Sequence, residues 1–205
     1  LLDSDWIKPG IGNSLYIRPF VFASEQSIQA SPSKSYKFII ICSPAKSYYI
    51  GETNVKIAEK FSRAATGGVG FAKTAGNYAA QFYPTSLAIE EGFQQIIWTD
   101  AYSHQFIEES GTMNIFVKIN NTLITTPVSD RILDGITRKS ILEIGNHLGI
   151  DVEVRPISVD ELIYSSNNGS LQEMFGCGTA VVINPIKSFG YQNKKYQLPT
   201  IKDPI

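Results

Sequence analysis

The run TGGVGFAKTAGNY, from Thr66 to Tyr78, constrains the fold more than any other stretch of this chain. Gly67, Gly68 and Gly70 allow positive φ or close backbone approach. Lys73 stands between them and Gly76-Asn77-Tyr78, where a helix is predicted to begin. A lysine framed in this way is held at a definite place by its surroundings. Three readings compete: a loop that cradles phosphate, a lysine that forms a Schiff base, and a plain glycine-rich connection.

The phosphate-loop reading fails on mechanics. Gly67 to Thr74 nearly matches G-x-x-x-x-G-K-[ST], but Ala72 stands where the loop needs a glycine to wrap its amides around phosphate. The preceding residues, Glu59 to Ala65, do not read as the buried strand that feeds such a loop. Bulk properties exclude other classes. With 205 residues, 43% hydrophobic and 18% charged, the chain is an ordinary globular one. A formal net charge of -1 gives no footprint for nucleic acid, and no basic run suggests a membrane surface. The longest apolar run, Phe38 to Cys42, reads as a buried strand, far below the roughly 20 residues of a membrane span. Cys42 and Cys177 make no disulfide framework, which points to a reducing compartment. The sequons at Asn120 and Asn168 are read as chance matches. No signal peptide is visible, and the start at Leu1 suggests an excised piece of something longer.

Along the chain, 1–13 reads as an irregular lead-in. Strands are predicted at Ser14–Ala23, with Pro19 implying an edge or bulge, and at Tyr36–Cys42, followed by a loop over 43–49 that presents aromatics. Residues 54–63 read as a strand running into a loop or a short helix. A helix is predicted over 77–91, tolerating or kinking at Pro84, then a strand at 94–99. Further strands fall near 104–109, 114–119 and 122–127, the last two joined by a tight turn at Asn120-Asn121. A helix runs from Thr137 to Gly149, a strand over 151–155 and a short helix over 159–164. The glycine-interrupted segment 174–183 and a terminal hairpin over 187–199 complete one undivided α/β domain with strands in mixed order.

Three further stretches carry chemistry. Glu108 and Glu109 precede a Ser-Gly-Thr turn; strict alternation turns one of them inward, where a buried carboxylate needs a partner such as a protonated pyridine nitrogen. Solvated glutamates at a strand end are the plain alternative. Leu133 to Lys139 leads into a helix whose first amides are free to bind phosphate, or are capped by Thr137. Gly176 to Ala180 offers amides and a hydroxyl, or is a β-bulge.

In this order, the glycine-framed Lys73 with Gly76-Asn77-Tyr78, the ESGTMN run ending at Asn114, GITR ending at Arg138, and GTA ending at Ala180 resemble the branched-chain amino acid aminotransferases of fold-type-IV pyridoxal phosphate enzymes. LYIRP, from Leu15 to Pro19, and MFGCGTA, from Met174, match too, so the resemblance covers almost the whole chain. It implies a mixed, barrel-like sheet flanked by helices, the large domain of the D-amino acid aminotransferase-like fold. It implies pyridoxal 5'-phosphate held covalently by Lys73, whose freed amine moves the proton between the substrate α-carbon and C4′. Glu109 would bind the pyridine nitrogen and keep it protonated, with Glu108 its outward neighbour. Tyr78 would hydrogen-bond the ring hydroxyl. Ile136 and Thr137 would hold the phosphate by their amides, helped by Thr179. Thr112 and Ala180 would receive the substrate carboxylate, while Tyr16 and Arg18 line the pocket.

The substrates implied are leucine, isoleucine and valine, with 2-oxoglutarate and glutamate as the other pair, in a cytoplasmic homodimer without metal, nucleic acid or membrane partner. Asp134 departs from the proline of many members. The Cys-x-x-Cys that some animal members carry after the Gly-Thr-Ala is VVIN here, from Val181 to Asn184. The resemblance implies that these 205 residues are the large domain, with the family's smaller N-terminal domain and final helix expected to lie outside them and the fragment alone expected to be inactive. The alternatives are a D-amino acid transaminase or aminodeoxychorismate lyase of the same fold type, and a cofactor-free binding domain.

Overall fold

The computed structural model describes residues 7–10, 12–45 and 51–200. No linker is legible in the sequence, yet contacts divide the chain into two compact units, one within residues 1–50 and one within 51–205. The first is a β-ribbon. Strand β1 (Ser14–Ala23) pairs antiparallel with β2 (Tyr36–Ala45) in unbroken register from Ser14↔Ala45 to Ala23↔Tyr36. Pro19 is accommodated without a bulge. The apolar run Phe38 to Cys42 is a strand as predicted, but it is not buried: Phe38 is 64% exposed and Ile40 56%. A two-stranded ribbon has no second layer of its own to cover either face. Of the loop predicted over 43–49, residues 43–45 extend β2, and 46–50 lie outside the described residues.

The second unit is a closed barrel carrying three helices. Its elements are β3 (Thr53–Ile57), α1 (Ala75–Glu90), β4 (Gln95–Thr99), β5 (Phe106–Ser110), β6 (Met113–Ile119), β7 (Thr122–Thr125), α2 (Ile136–His147), β8 (Val152–Val154), β9 (Ile157–Ser158), α3 (Val159–Asn168), β10 (Leu171–Gly178), β11 (Val182–Tyr191) and β12 (Lys194–Gln197). Six strands follow the order β6-β10-β11-β3-β4-β5, and β5 pairs back with β6 to close the ring. The β11–β3 and β3–β4 pairs are parallel and the other ring pairs antiparallel. Closure leaves the ring without an edge strand.

Side-chain alternation then sorts two apolar populations. Ile97, Ile115, Val117, Val55 and Ile57 join one core cluster, which Leu162 of α3 extends. Ile96 and Trp98 face the other way and pack with Ala88 of α1. Phe116 and Cys177 cluster with Ile141 and Leu142 of α2. β4 and most of β6 are therefore buried on both faces. Helix α1 runs through Pro84, which lies on its buried stripe with Asn77, Gln81 and Ala88.

The turns follow their residues. Asn120 and Asn121 both take positive φ between β6 and β7, as do Gln192 and Asn193 in the predicted terminal hairpin. Gly149, at φ 70°, ends α2 as expected. The segment 174–183, predicted as glycine-interrupted and then strand-like, is the end of β10, a turn at 179–181 and the start of β11. Among the described residues no helix is long and apolar enough to cross a membrane.

Candidate active site

The glycine run packs against the segment at Asp130 and Arg131 and is fixed by its own hydrogen bonds. Gly67 takes φ 77°, and its amide donates to Asp130 Oδ2 at 2.6 Å. The Phe71 amide donates to the Asp130 carbonyl. The Asn77 side-chain amide, one turn into α1, donates to the carbonyls of Val69 and Ala72, both at 2.8 Å. Gly70 is pressed so tightly that a Cβ there would lie 2.5 Å from Ala64 Cβ and 2.7 Å from Arg131 Cα. Lys73 leaves this rigid loop exposed, its ammonium 6.0 Å from the centre of the Tyr78 ring.

Both glutamates are buried, each about 3% exposed, which overturns the expectation that Glu108 faces outward. The reason is a register shift: Trp98 pairs with Glu109 but Thr99 pairs with Ile107, so Glu108 is the extra residue of a β-bulge. The bulge breaks the alternation and lets both carboxylates reach the segment that leads into α2. Glu108 bonds Arg131 Nε. Glu109 Oε1 accepts from the Leu133 amide at 2.8 Å and from Asn114 Nδ2 at 3.3 Å, and Oε2 lies 3.3 Å from Arg63 Nη2. Burial pushes Glu109 up to about 7, against the opposing pull of the Arg63 guanidinium. Burial also raises Glu108, against the hydrogen bond from Arg131.

Asn114 fastens the next piece. It donates to the Leu133 carbonyl at 2.8 Å, and its Oδ1 would lie 2.1 Å from a Cβ on Gly135. Only glycine fits there, and Gly135 is the residue that precedes α2. No side chain caps this helix, so Thr137 is not the cap, and the amides of Ile136 and Thr137 keep no intrahelical partner. Arg138 is buried one position further on, donating to the Thr126 carbonyl at 2.8 Å, and burial lowers its proton affinity.

Cys177 pairs with Asn114 across β10 and β6, so Thr179 and Ala180 leave β10 at the end of the sheet where Thr112 enters β6. All three are exposed. Cys177 is buried, which raises its thiol to about 12. A small recess brings Tyr78, Thr112 and Glu109 together with Arg63. A wider cleft of about 680 Å³ opens beyond Glu108 and Arg131 and is lined by none of the predicted site residues. Tyr16 and Arg18 belong to the ribbon, where Arg18 donates to the Tyr16 hydroxyl and lies over its ring.

Sequence reasoning missed Arg63 and Arg131, because nothing in a single sequence separates a buried arginine from a solvated one. The adjacent glutamates, of which at least one had to be buried and in need of a partner, were the available signal. The donor set suits a phosphorylated pyridine: a buried carboxylate for the ring nitrogen, uncapped helix amides for the phosphate, and a lysine at the rim. Thr74 Oγ1, beside Lys73, is buried without a hydrogen-bond partner.

The family model described as amino-transferase class IV matches residues 5–189. A probable branched-chain-amino-acid aminotransferase of Staphylococcus aureus is 46% identical over 95% of this chain and 55% of its own length. Branched-chain-amino-acid aminotransferase 2 of Bacillus subtilis is 43% identical over 94% of this chain and 54% of its own length. Among solved structures, the branched-chain amino acid aminotransferase of Escherichia coli superposes with a TM-score of 0.72 at 28% identity, over 85% of this chain and 56% of that one. The chain thus spans about half the length of the curated relatives it matches.

Proposed function

We propose, on the premise that this chain belongs to the class IV aminotransferase family, that it is the cofactor-holding part of a pyridoxal phosphate-dependent branched-chain amino acid aminotransferase. The observation that carries this reading is Glu109: a carboxylate about 3% exposed, held by Arg63, Leu133 and Asn114, in the recess that Tyr78 and Thr112 line. A solvated glutamate would need none of that apparatus.

When bound, the cofactor supplies an electron sink for the bond that breaks at the substrate α-carbon. The chain's own residues do the rest. Lys73 Nζ would hold the cofactor, and its free amine would move the proton of the substrate α-carbon. Glu109 keeps a proton on the ring nitrogen, and Tyr78 orients the ring through its hydroxyl. The amides of Ile136 and Thr137, with Thr179, take the phosphate at the positive end of α2. Thr112 and Ala180 receive the substrate carboxylate. We take the chain as part of a cytoplasmic, homodimeric enzyme that uses 2-oxoglutarate as amino acceptor.

A panel of amino donors tests the assignment in the intact protein. Leucine, isoleucine and valine should each give glutamate from 2-oxoglutarate, with D-alanine and aminodeoxychorismate inert. Turnover of D-alanine alone would assign the other branch of the fold type, and no turnover together with no uptake of cofactor by the intact protein would favour a cofactor-free binding domain.

A further inference from the structure

Arg63 lies outside every motif discussed above, yet it touches all three parts of the site. It follows β3 in the loop before the glycine run, and its side chain is 5% exposed. One guanidinium group reaches three acceptors: Glu109 Oε2 at 3.3 Å, the Gly70 carbonyl at 3.5 Å and the Arg131 carbonyl. Gly70 is three residues before Lys73, and Arg131 is two before Leu133, whose amide holds the other oxygen of Glu109. A planar fork can serve three such acceptors at once, and a lysine ammonium has no equivalent geometry.

We propose that Arg63 is the positioning residue of this site, holding the Glu109 carboxylate aimed into the recess and opposing its protonation while it ties the lysine loop to the segment that opens α2. This inference rests on the cofactor reading above. A carboxylate that meets a pyridine nitrogen shares one proton with it, and the proton stays on the ring only while the carboxylate is the weaker base. Burial makes Glu109 a stronger base, and Arg63 is the cation in contact that opposes this. The other charged or titratable groups around Glu109 are Lys73 from the glycine run, Glu108 on its own strand with Arg131 behind it, Cys177 on β10 and Tyr78 on α1. Glu108 pushes in the same direction as burial, and Arg131 is spent on Glu108. Removing Arg63 therefore moves the shared proton from ring to carboxylate.

The test uses the intact protein in three forms: wild type, Arg63→Gln and Arg63→Lys. In the apoprotein with ¹³C-labelled glutamate, Glu109 is assigned by difference against Glu109→Gln and its carboxyl signal is followed with pH. The holoprotein is then loaded with ¹⁵N-labelled pyridoxal phosphate, and the ring-nitrogen shift reports its proton. Arg63→Gln should raise the Glu109 midpoint by about 1–3 pH units and strip the ring proton near neutral pH. Arg63→Lys should keep both near wild type despite losing the fork. A Glu109 midpoint unmoved in Arg63→Gln overturns the proposal. Should that variant fail to fold, a ring proton lost in Arg63→Lys overturns it instead, since a purely structural fork would then be what matters. Failure of the intact protein to take up cofactor would sink the proposed function, while the apoprotein titration would still decide the role of Arg63.

Discussion

Replacing Gly70 by alanine tests whether the lysine loop is as tightly seated as its contacts imply. The new Cβ would lie 2.5 Å from Ala64 Cβ, 2.7 Å from Arg131 Cα and 2.8 Å from the Arg131 carbonyl oxygen. Carbon atoms pack best at about 3.5–4.0 Å, so the two carbon contacts must each open by about 1 Å. One of those atoms is backbone in the segment that carries Leu133 to Glu109, and its carbonyl is an acceptor of Arg63. Overpacking of this kind costs about 1–3 kcal/mol, and the stiffer unfolded chain returns about 0.4–1 kcal/mol. The net loss is about 1 kcal/mol, a fall in melting temperature of about 2–4 °C for a chain of this size. Thermal unfolding followed by circular dichroism measures it. Gly76→Ala is the internal control: nothing lies within 4 Å of its Cβ and the position is helical, so that variant should gain up to about 1 kcal/mol. If Gly70→Ala melted at or above the wild type, the close packing of the loop against Arg131 would be refuted.

Glu109, about 7 in the folded protein against an ordinary 4.5, makes apoprotein stability fall with pH. Its contribution is whole below about 4.5 and declines as pH rises to about 7, by roughly 3 kcal/mol, because the unfolded chain releases that proton first. Urea midpoints across this window should show the slope and Glu109→Gln should flatten it; equal slopes would contradict the burial argument. Helix α3 should weaken by about 1 kcal/mol in Ser158→Ala, since Ser158 Oγ accepts from the Glu161 amide at 3.0 Å as its N-cap. A urea midpoint equal to the wild type's would mean that the cap contributes nothing.

Much of this architecture was legible wherever the cause is local. The asparagine pair at 120–121 marks a hairpin because both residues tolerate positive φ, and the structure puts both there. The glycines around Lys73 announced a seated lysine, and the segment from Leu133 to Lys139 announced the start of α2. What escaped has a non-local origin. The bulge at Glu108 arises from β5 pairing with β4, so alternation within β5 alone assigns that carboxylate to the wrong side. The apolar run Phe38 to Cys42 reads as core because hydropathy carries no account of which layer a strand joins. Closure of the ring depends on β6 pairing with β10, nearly sixty positions later, and on β5 returning to β6. The sequence marks Glu109 as a residue in want of a cation, and only the fold supplies Arg63.

The central claim is that Lys73 is the residue that binds the cofactor covalently. The intact protein should be incubated with pyridoxal phosphate, reduced with borohydride, digested and mapped by mass spectrometry. The account predicts the added mass on the peptide holding Lys73, and none there in Lys73→Ala. Cofactor bound by the intact protein with Lys73 unlabelled, or a label that survives in Lys73→Ala, would contradict it.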